Sequence, residues 1–225
     1  MPALRLGATA PDFAAETTTG KFASFHEFIG SNWAILFSHP ADFTPVCTTE
    51  LGEVARILPE FEKRGVKVIG LSCNELKSHA DWVKDIDEVN NVSVTFPIIA
   101  DPTREIAKTY DMLDEQDLTN VDAKGIPFTV RSVFIIDPAK KIRLTLQYPA
   151  STGRQFNEVL RVIDSLQLGD KHKITTPANW TPGSKVIVHP SVSTDEARKM
   201  FPNGVDVVKP YLRYVAILYA WLVMR

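Results

Sequence analysis

The chain has 225 residues, of which 25 are basic and 27 acidic, for a formal net charge of −2. That balance gives no general attraction to nucleic acid or to an acidic membrane surface. Hydrophobic residues make up 44 % and charged residues 23 %, the proportions of a globular protein with a sizeable buried core. The two cysteines, Cys47 and Cys73, are too few for a disulfide-stapled secreted scaffold, and free thiols fit a reducing compartment.

Residues 1–11 lack a long apolar run behind a basic start, so no signal peptide is expected. No internal repeat or low-complexity stretch interrupts the chain. Ser24 to Glu27 reads as a capping box opening a short helix that stops at Gly30. Residues 33–38 (WAILFS) form an apolar run with little alternation, which predicts a buried central strand. After a loop over residues 39–43, Thr44 and Pro45 read as an N-cap and a first-turn proline.

The helix that follows carries Cys47, Leu51, Val54, Leu58 and Phe61 on one face. Pro59 falls inside it and is expected to kink it, and Gly65 to end it. Further along, strands are expected at 66–72 and 96–100, with helices at 78–89 and near 104–110. Residues 130–136 and 142–148 read as two strands around the turn 137–140, and 154–168 as a helix with an apolar face. This order predicts an α/β fold with a mixed sheet.

Composition shifts near Gly169. Residues 170–225 read as a small second domain, with a short strand near 185–188, a helix at 194–200 and a thin core. Residues 1–169 form the first domain. Residues 215–224 (VAILYAWLVM) are uninterrupted apolar or aromatic. A membrane span needs about 20 such residues, so this run is expected to pack on its own domain or across a dimer.

Cys47 is placed to be a nucleophile. It follows a buried strand and sits in the first turn of a helix, where free N–H groups and the helix dipole favour a thiolate over a thiol. Ligand sites gather at that edge of a sheet. The register of residues 44–47 is that of a C-x-x-C motif with threonine in the first position, which excludes an intrachain dithiol couple at that spacing. Thr44 offers a hydroxyl to a bound oxygen instead.

The run from Pro40 to Cys47 (PADFTPVC) resembles the peroxiredoxin signature P-x-x-x-T-x-x-C. The longer run FSHPADFTPVCTTEL is similar to that of the one-cysteine subgroup. The similarity continues through 126–133, 148–154 and 211–214, nearly the whole chain apart from its last residues. The resemblance implies a thioredoxin-like fold with a mixed central sheet flanked by helices, plus a small C-terminal α+β dimerisation domain. It also implies roles. Cys47 attacks the peroxide, Thr44 binds the attacked oxygen, and Pro40 shields the thiol. Arg131 holds the thiolate and the developing charge, Glu50 and Arg154 orient Arg131, and His39 is a nearby modulator. It implies a cytoplasmic homodimeric peroxidase with peroxide as substrate, an external thiol such as glutathione as reductant, and no cofactor. Taken singly, each site residue has an ordinary reading: Pro40 ends a strand, Arg131 is an edge charge, Glu50 and Arg154 are helix-face charges, His39 caps or packs.

Other functions fit less well. The five histidines show no metal-ligand spacing, since Gly30 stands where the second histidine of H-E-x-x-H would follow His26. A thiol sensor or holdase would use the same reactive Cys47, and peroxide turnover with added thiol separates the two. Some one-cysteine relatives are credited with a phospholipase site of serine, histidine and aspartate. Here Asn32 and Ala139 occupy the serine and aspartate positions and only His26 matches, so that activity is expected to be absent. Cys73, at the end of a buried strand, is expected to pack as a small hydrophobe and not to act as a resolving thiol.

Overall fold

A computed structural model describes residues 4–217. They form two compact units, Met1–Phe156 and Asn157–Arg225. In chain order the first unit holds β1 (Ala15–Thr17), β2 (Gly20–Phe22), α1 (Phe25–Ile29), β3 (Trp33–Ser38), α2 (Pro45–Lys63), β4 (Val66–Ser72), α3 (Leu76–Asn90), β5 (Ile98–Ala100), α4 (Glu105–Thr109), β6 (Arg131–Ile136) and β7 (Ile142–Tyr148). The second contains α5 (Phe156–His172, from its second residue on), β8 (Ile174–Thr175), β9 (Val186–Val188), α6 (Thr194–Met200), β10 (Asp206–Lys209) and β11 (Leu212–Val215).

Seven strands of the first unit make one mixed sheet in the order β2-β1-β5-β4-β3-β6-β7. β3, β4 and β5 run parallel, and the strands flanking them are antiparallel. β3, β4 and β6 are buried almost throughout because helices cover both faces. Side chains alternate across the sheet. Ala34, Leu36, Ile69, Leu71, Ile99, Phe134 and Ile136 pack with Phe25 and Ile29 of α1 and Ile106 and Ala107 of α4. α2 packs on β4 and on α3.

β3 and β4 have the expected bounds. α2 runs through Pro59 near its C-terminal end and stops at Lys63, just before Gly65. That proline's ring is exposed, and it forfeits one backbone bond without ending the element. At α1, Ser24 Oγ accepts from Glu27 N as an N-cap should. The rest of the cap comes from Asp12, whose carboxylate accepts from Ser24 Oγ and His26 N, so the box is closed by another segment. Arg154 was expected on a helix face, but α5 begins at Phe156 and leaves Arg154 in the preceding loop.

The second unit has a four-stranded antiparallel sheet, β10-β11-β9-β8. Its core is small: Leu168, Ile174, Trp180, Val186, Val188, Val192, Ala197 and Val215. Ile217 packs against it, while 218–224 of the apolar run lie outside the described residues. No helix among the described residues is long and apolar enough to cross a membrane.

Candidate active site

β3 delivers the chain to the carboxyl edge of the parallel strands, and residues 39–44 turn it into α2. Thr44 is the N-cap, with extended backbone at φ −115° and ψ 146°, and Pro45 takes the first helical position. Cys47 is therefore third in the helix and is fully buried. The Thr44 hydroxyl does not cap the helix. It donates to the Ala41 carbonyl at 2.8 Å, which leaves its lone pairs to accept a hydrogen bond and leaves the first-turn N–H groups without a side-chain partner.

Arg131 opens β6, 84 residues from Cys47 in sequence. Its Nη1 reaches Cys47 Sγ at 3.3 Å and Glu50 Oε2 at 2.7 Å. Its Nε donates to the Ala150 carbonyl at 3.0 Å, and Nη2 donates to the same oxygen. Arg154 faces Glu50 from the other side. Its Nε donates to Oε1 at 2.9 Å, Nη2 to Oε2 at 2.7 Å, and its backbone N to Oε1 at 2.8 Å. Nη1 of Arg154 is held by the carbonyls of Ser38 and Ser132, and the guanidinium lies over Phe37 and Phe156. Burial pushes the Glu50 carboxyl up, but the charge and hydrogen bonds of Arg154 and the charge of Arg131 outweigh it and hold Glu50 below the usual carboxylate range.

The structure thus brings Cys47, Glu50, Arg131 and Arg154 together. Thr44 and Pro40 sit on the loop beside them, Pro40 buried and Thr44 partly exposed. His39 joins a second network. Its Nε2 lies 3.1 Å from Asp42 Oδ1, and Asp42 Oδ2 takes His79 Nδ1 at 2.8 Å and Ser78 Oγ at 2.7 Å. His39, Asp42 and His79 are the one trio among the described residues with metal-ligand atoms within 4.8 Å of one another. Asp42 and His79 have no signal of their own in the sequence: 37 residues separate them, and only the fold makes them neighbours.

A mixed sheet of this order, with a buried cysteine at a helix start under a guanidinium, defines a thiol-dependent peroxidase on a thioredoxin-like fold. Residues 6–145 match the model of the AhpC/TSA family, and residues 165–204 match the C-terminal domain of 1-Cys peroxiredoxin. The chain belongs to the AhpC/TSA family of peroxiredoxins, in its one-cysteine branch. It is 52 % identical over 214 residues to the mitochondrial peroxiredoxin PRX1 of Saccharomyces cerevisiae, covering 95 % of this chain and 81 % of that one. It superimposes with a TM-score of 0.90 on a cysteine-to-serine mutant of peroxiredoxin 6 from Arenicola marina, at 46 % identity over 97 % of this chain and all of that one. A yeast mitochondrial 1-Cys peroxiredoxin, solved to explain thiol resolution through glutathione and thioredoxin systems, matches at a TM-score of 0.86 and 50 % identity, covering 95 % of this chain and all of that one.

Proposed function

We propose that Cys47 is the peroxidatic residue of this peroxidase, with Arg131, Thr44 and Pro40 as its catalytic neighbours and Glu50, Arg154 and His39 in support. The observation that carries this is the 3.3 Å contact from Arg131 Nη1 to Cys47 Sγ. Charge counting supports it. Two buried guanidiniums share one buried carboxylate, so the cluster holds an uncompensated positive charge, which is costly in an interior. A thiolate at Cys47 brings the sum to zero.

The thiolate attacks one peroxide oxygen, the O–O bond breaks, and the sulfur becomes a sulfenic acid while water or an alcohol leaves. Thr44 Oγ1, its own proton committed to Ala41, accepts from the peroxide O–H. Arg131 donates to the oxygens as negative charge shifts onto the leaving one. Pro40 covers the approach and keeps water off the thiol. An external thiol then attacks the sulfenic sulfur, forming a mixed disulfide with Cys47 and releasing water, and a second external thiol attacks that bond, freeing Cys47 while the two external thiols leave as a disulfide. Glutathione is the reductant we favour, supported by the yeast relative's glutathione and thioredoxin systems.

Residues 1–169 carry this chemistry in our reading, and residues 170–225 serve homodimer formation, in keeping with exposed Val207 and Val208 on β10 and exposed Tyr211 in the turn after it. The two free, buried cysteines suit a cytoplasmic setting. The test is peroxide consumption with glutathione and with thioredoxin by the protein and by Cys47→Ser. A serine variant that keeps its rate overturns the assignment. Sedimentation equilibrium and cell fractionation check the dimer and the compartment.

A further inference from the structure

The loop that carries Pro40 and Thr44 is tied down through one buried carboxylate. Asp42 is flanked by groups from a different part of the chain. Its backbone N donates to Asn74 Oδ1 at 3.1 Å, Ser78 Oγ donates to its Oδ2, and His79 Nδ1 meets the same oxygen. On the other side, Oδ1 faces His39 Nε2. The side chains of His39, Asp42 and His79 have no solvent exposure. Burial pushes the Asp42 carboxyl up, yet the hydrogen bonds from His39 and His79 hold it well below its usual range. An ionised carboxylate only accepts hydrogen bonds, so His39 carries a proton on Nε2.

Burial also holds His39 below the usual histidine range, against the pull of Asp42 and helped by the charge of Arg154. A neutral ring protonated on Nε2 leaves a lone pair on Nδ1, and that atom is buried with no partner. Asp42 thereby fixes the tautomer of the residue next to Pro40. His79 fixes Asp42, and its own Nε2 is anchored on the Ile99 carbonyl at 3.1 Å. The contacts run from β5 through α3 to the catalytic loop.

The geometry points to His79 as a positioning residue of the peroxidase site: acting through Asp42, it holds the tautomer of His39 and the placement of the loop bearing Pro40 and Thr44. His79 touches neither Cys47 nor peroxide. This inference rests on the peroxidatic role of Cys47 and extends it to the network behind the loop.

Two amide replacements separate positioning from space-filling. The Asn side-chain amide reaches where Nδ1 stands, and the Gln amide reaches where Nε2 stands. His79→Asn therefore keeps a donor to Asp42, while His79→Gln keeps only the link to Ile99. The readouts are the second-order rate of Cys47 oxidation by hydrogen peroxide and, as a control, its alkylation by iodoacetamide. His79→Gln is expected to slow oxidation tenfold or more, His79→Asn to stay within threefold of the parent, and both to alkylate within twofold. Ser78→Ala, which removes another donor to the same oxygen without disturbing a buried ring, is expected to slow oxidation two- to fivefold, and it decides the matter if His79→Gln does not fold. Equal losses in the two His79 variants, a parent-like rate in His79→Gln or Ser78→Ala, or a parallel fall in alkylation would overturn the inference. Cys47→Ser is run alongside. Peroxide turnover surviving in it defeats the reading of Cys47, whereas its loss together with an unaffected His79→Gln defeats only the role of His79.

Discussion

Glu50 and Arg154 form a two-pronged ion pair, Nε on Oε1 at 2.9 Å and Nη2 on Oε2 at 2.7 Å, and the same Oε2 also takes Arg131 Nη1. One carboxylate therefore sets the position of the guanidinium that faces Cys47. Forked pairs of this kind fix direction as well as charge. Arg154 is in turn held by two carbonyls and two aromatic faces, so the orientation of Arg131 is inherited from a rigid support.

Glu50→Gln should be damaging out of proportion to its size. The amide keeps the shape but leaves two buried cations with at most the Cys47 thiolate to offset them. Breaking a buried pair in this way costs about 3 kcal/mol or more. Urea unfolding should show that loss, and peroxide turnover should fall with it. A variant of parental stability would mean that the cluster is more hydrated than its burial implies.

Arg131→Lys keeps the charge and should still lose at least tenfold in the rate of Cys47 oxidation. The guanidinium uses Nη1 for both Cys47 and Glu50 while Nε and Nη2 grip the Ala150 carbonyl. An ammonium group has no fork with which to do this at once. Stopped-flow oxidation with hydrogen peroxide is the measurement, and an unchanged rate would make Arg131 a plain counter-charge.

Stability should fall with acid in two stages. His39, Asp42 and Glu50 all have folded-state values below their ordinary ones. In each case the unfolded chain takes up protons first, so stability rises with pH across the window between the two values. For His39 that window starts at about 6.5 and extends downward; for the carboxylates it starts near about 4. The urea midpoint should therefore drop from pH 7 to pH 5, and drop again below pH 4. His39→Gln should flatten the first stage and leave the second. A parent-like slope between pH 7 and 5 in that variant would assign the effect to other histidines.

The fold was legible in the sequence where burial is continuous and opaque where it is not. β3 and β4 are apolar runs covered on both faces, and their ends coincide with a change in composition. α6 starts at a complete capping box, with Ser193 and Glu196 side chains each taking the other's backbone N–H, so its bounds also matched. β1 and β2 have three residues each, too few to display a period. β10 is exposed at every position and has no apolar face to announce it. α2 continues through Pro59, where propensity alone would weaken a helix, because its length packs on β4 and α3. In the site, Cys47 and Thr44 follow from helix-start chemistry. Arg131, Glu50 and Arg154 were legible only through resemblance, since charges spaced 81 and 104 residues apart carry no local mark of pairing. Asp42 lay in plain view within the signature run, but its partners on α3 did not.

Cys73 should play no part in turnover. It follows β4, is only 6 % exposed, and forms no disulfide with Cys47. Burial pushes its thiol up to about 12, with the charge of Arg104 only partly offsetting it. At neutral pH it is therefore a thiol and not a thiolate, and only the thiolate attacks a sulfenic acid at a useful rate. A bridge would also need the two Cα atoms within about 7 Å and the Cβ vectors turned toward each other, whereas Cys47 is committed to Arg131 inside α2. Cys73→Ala should thus keep the peroxidase rate within about twofold and lose about 1 kcal/mol of stability for the atoms removed from the core. After one equivalent of peroxide without reductant, mass spectrometry should find the added oxygen on the Cys47 peptide, and excess peroxide should carry it on to sulfinic and sulfonic acids. A dominant Cys47–Cys73 disulfide under those conditions would replace the one-cysteine cycle with an intramolecular one and would require α2 to open in every turnover.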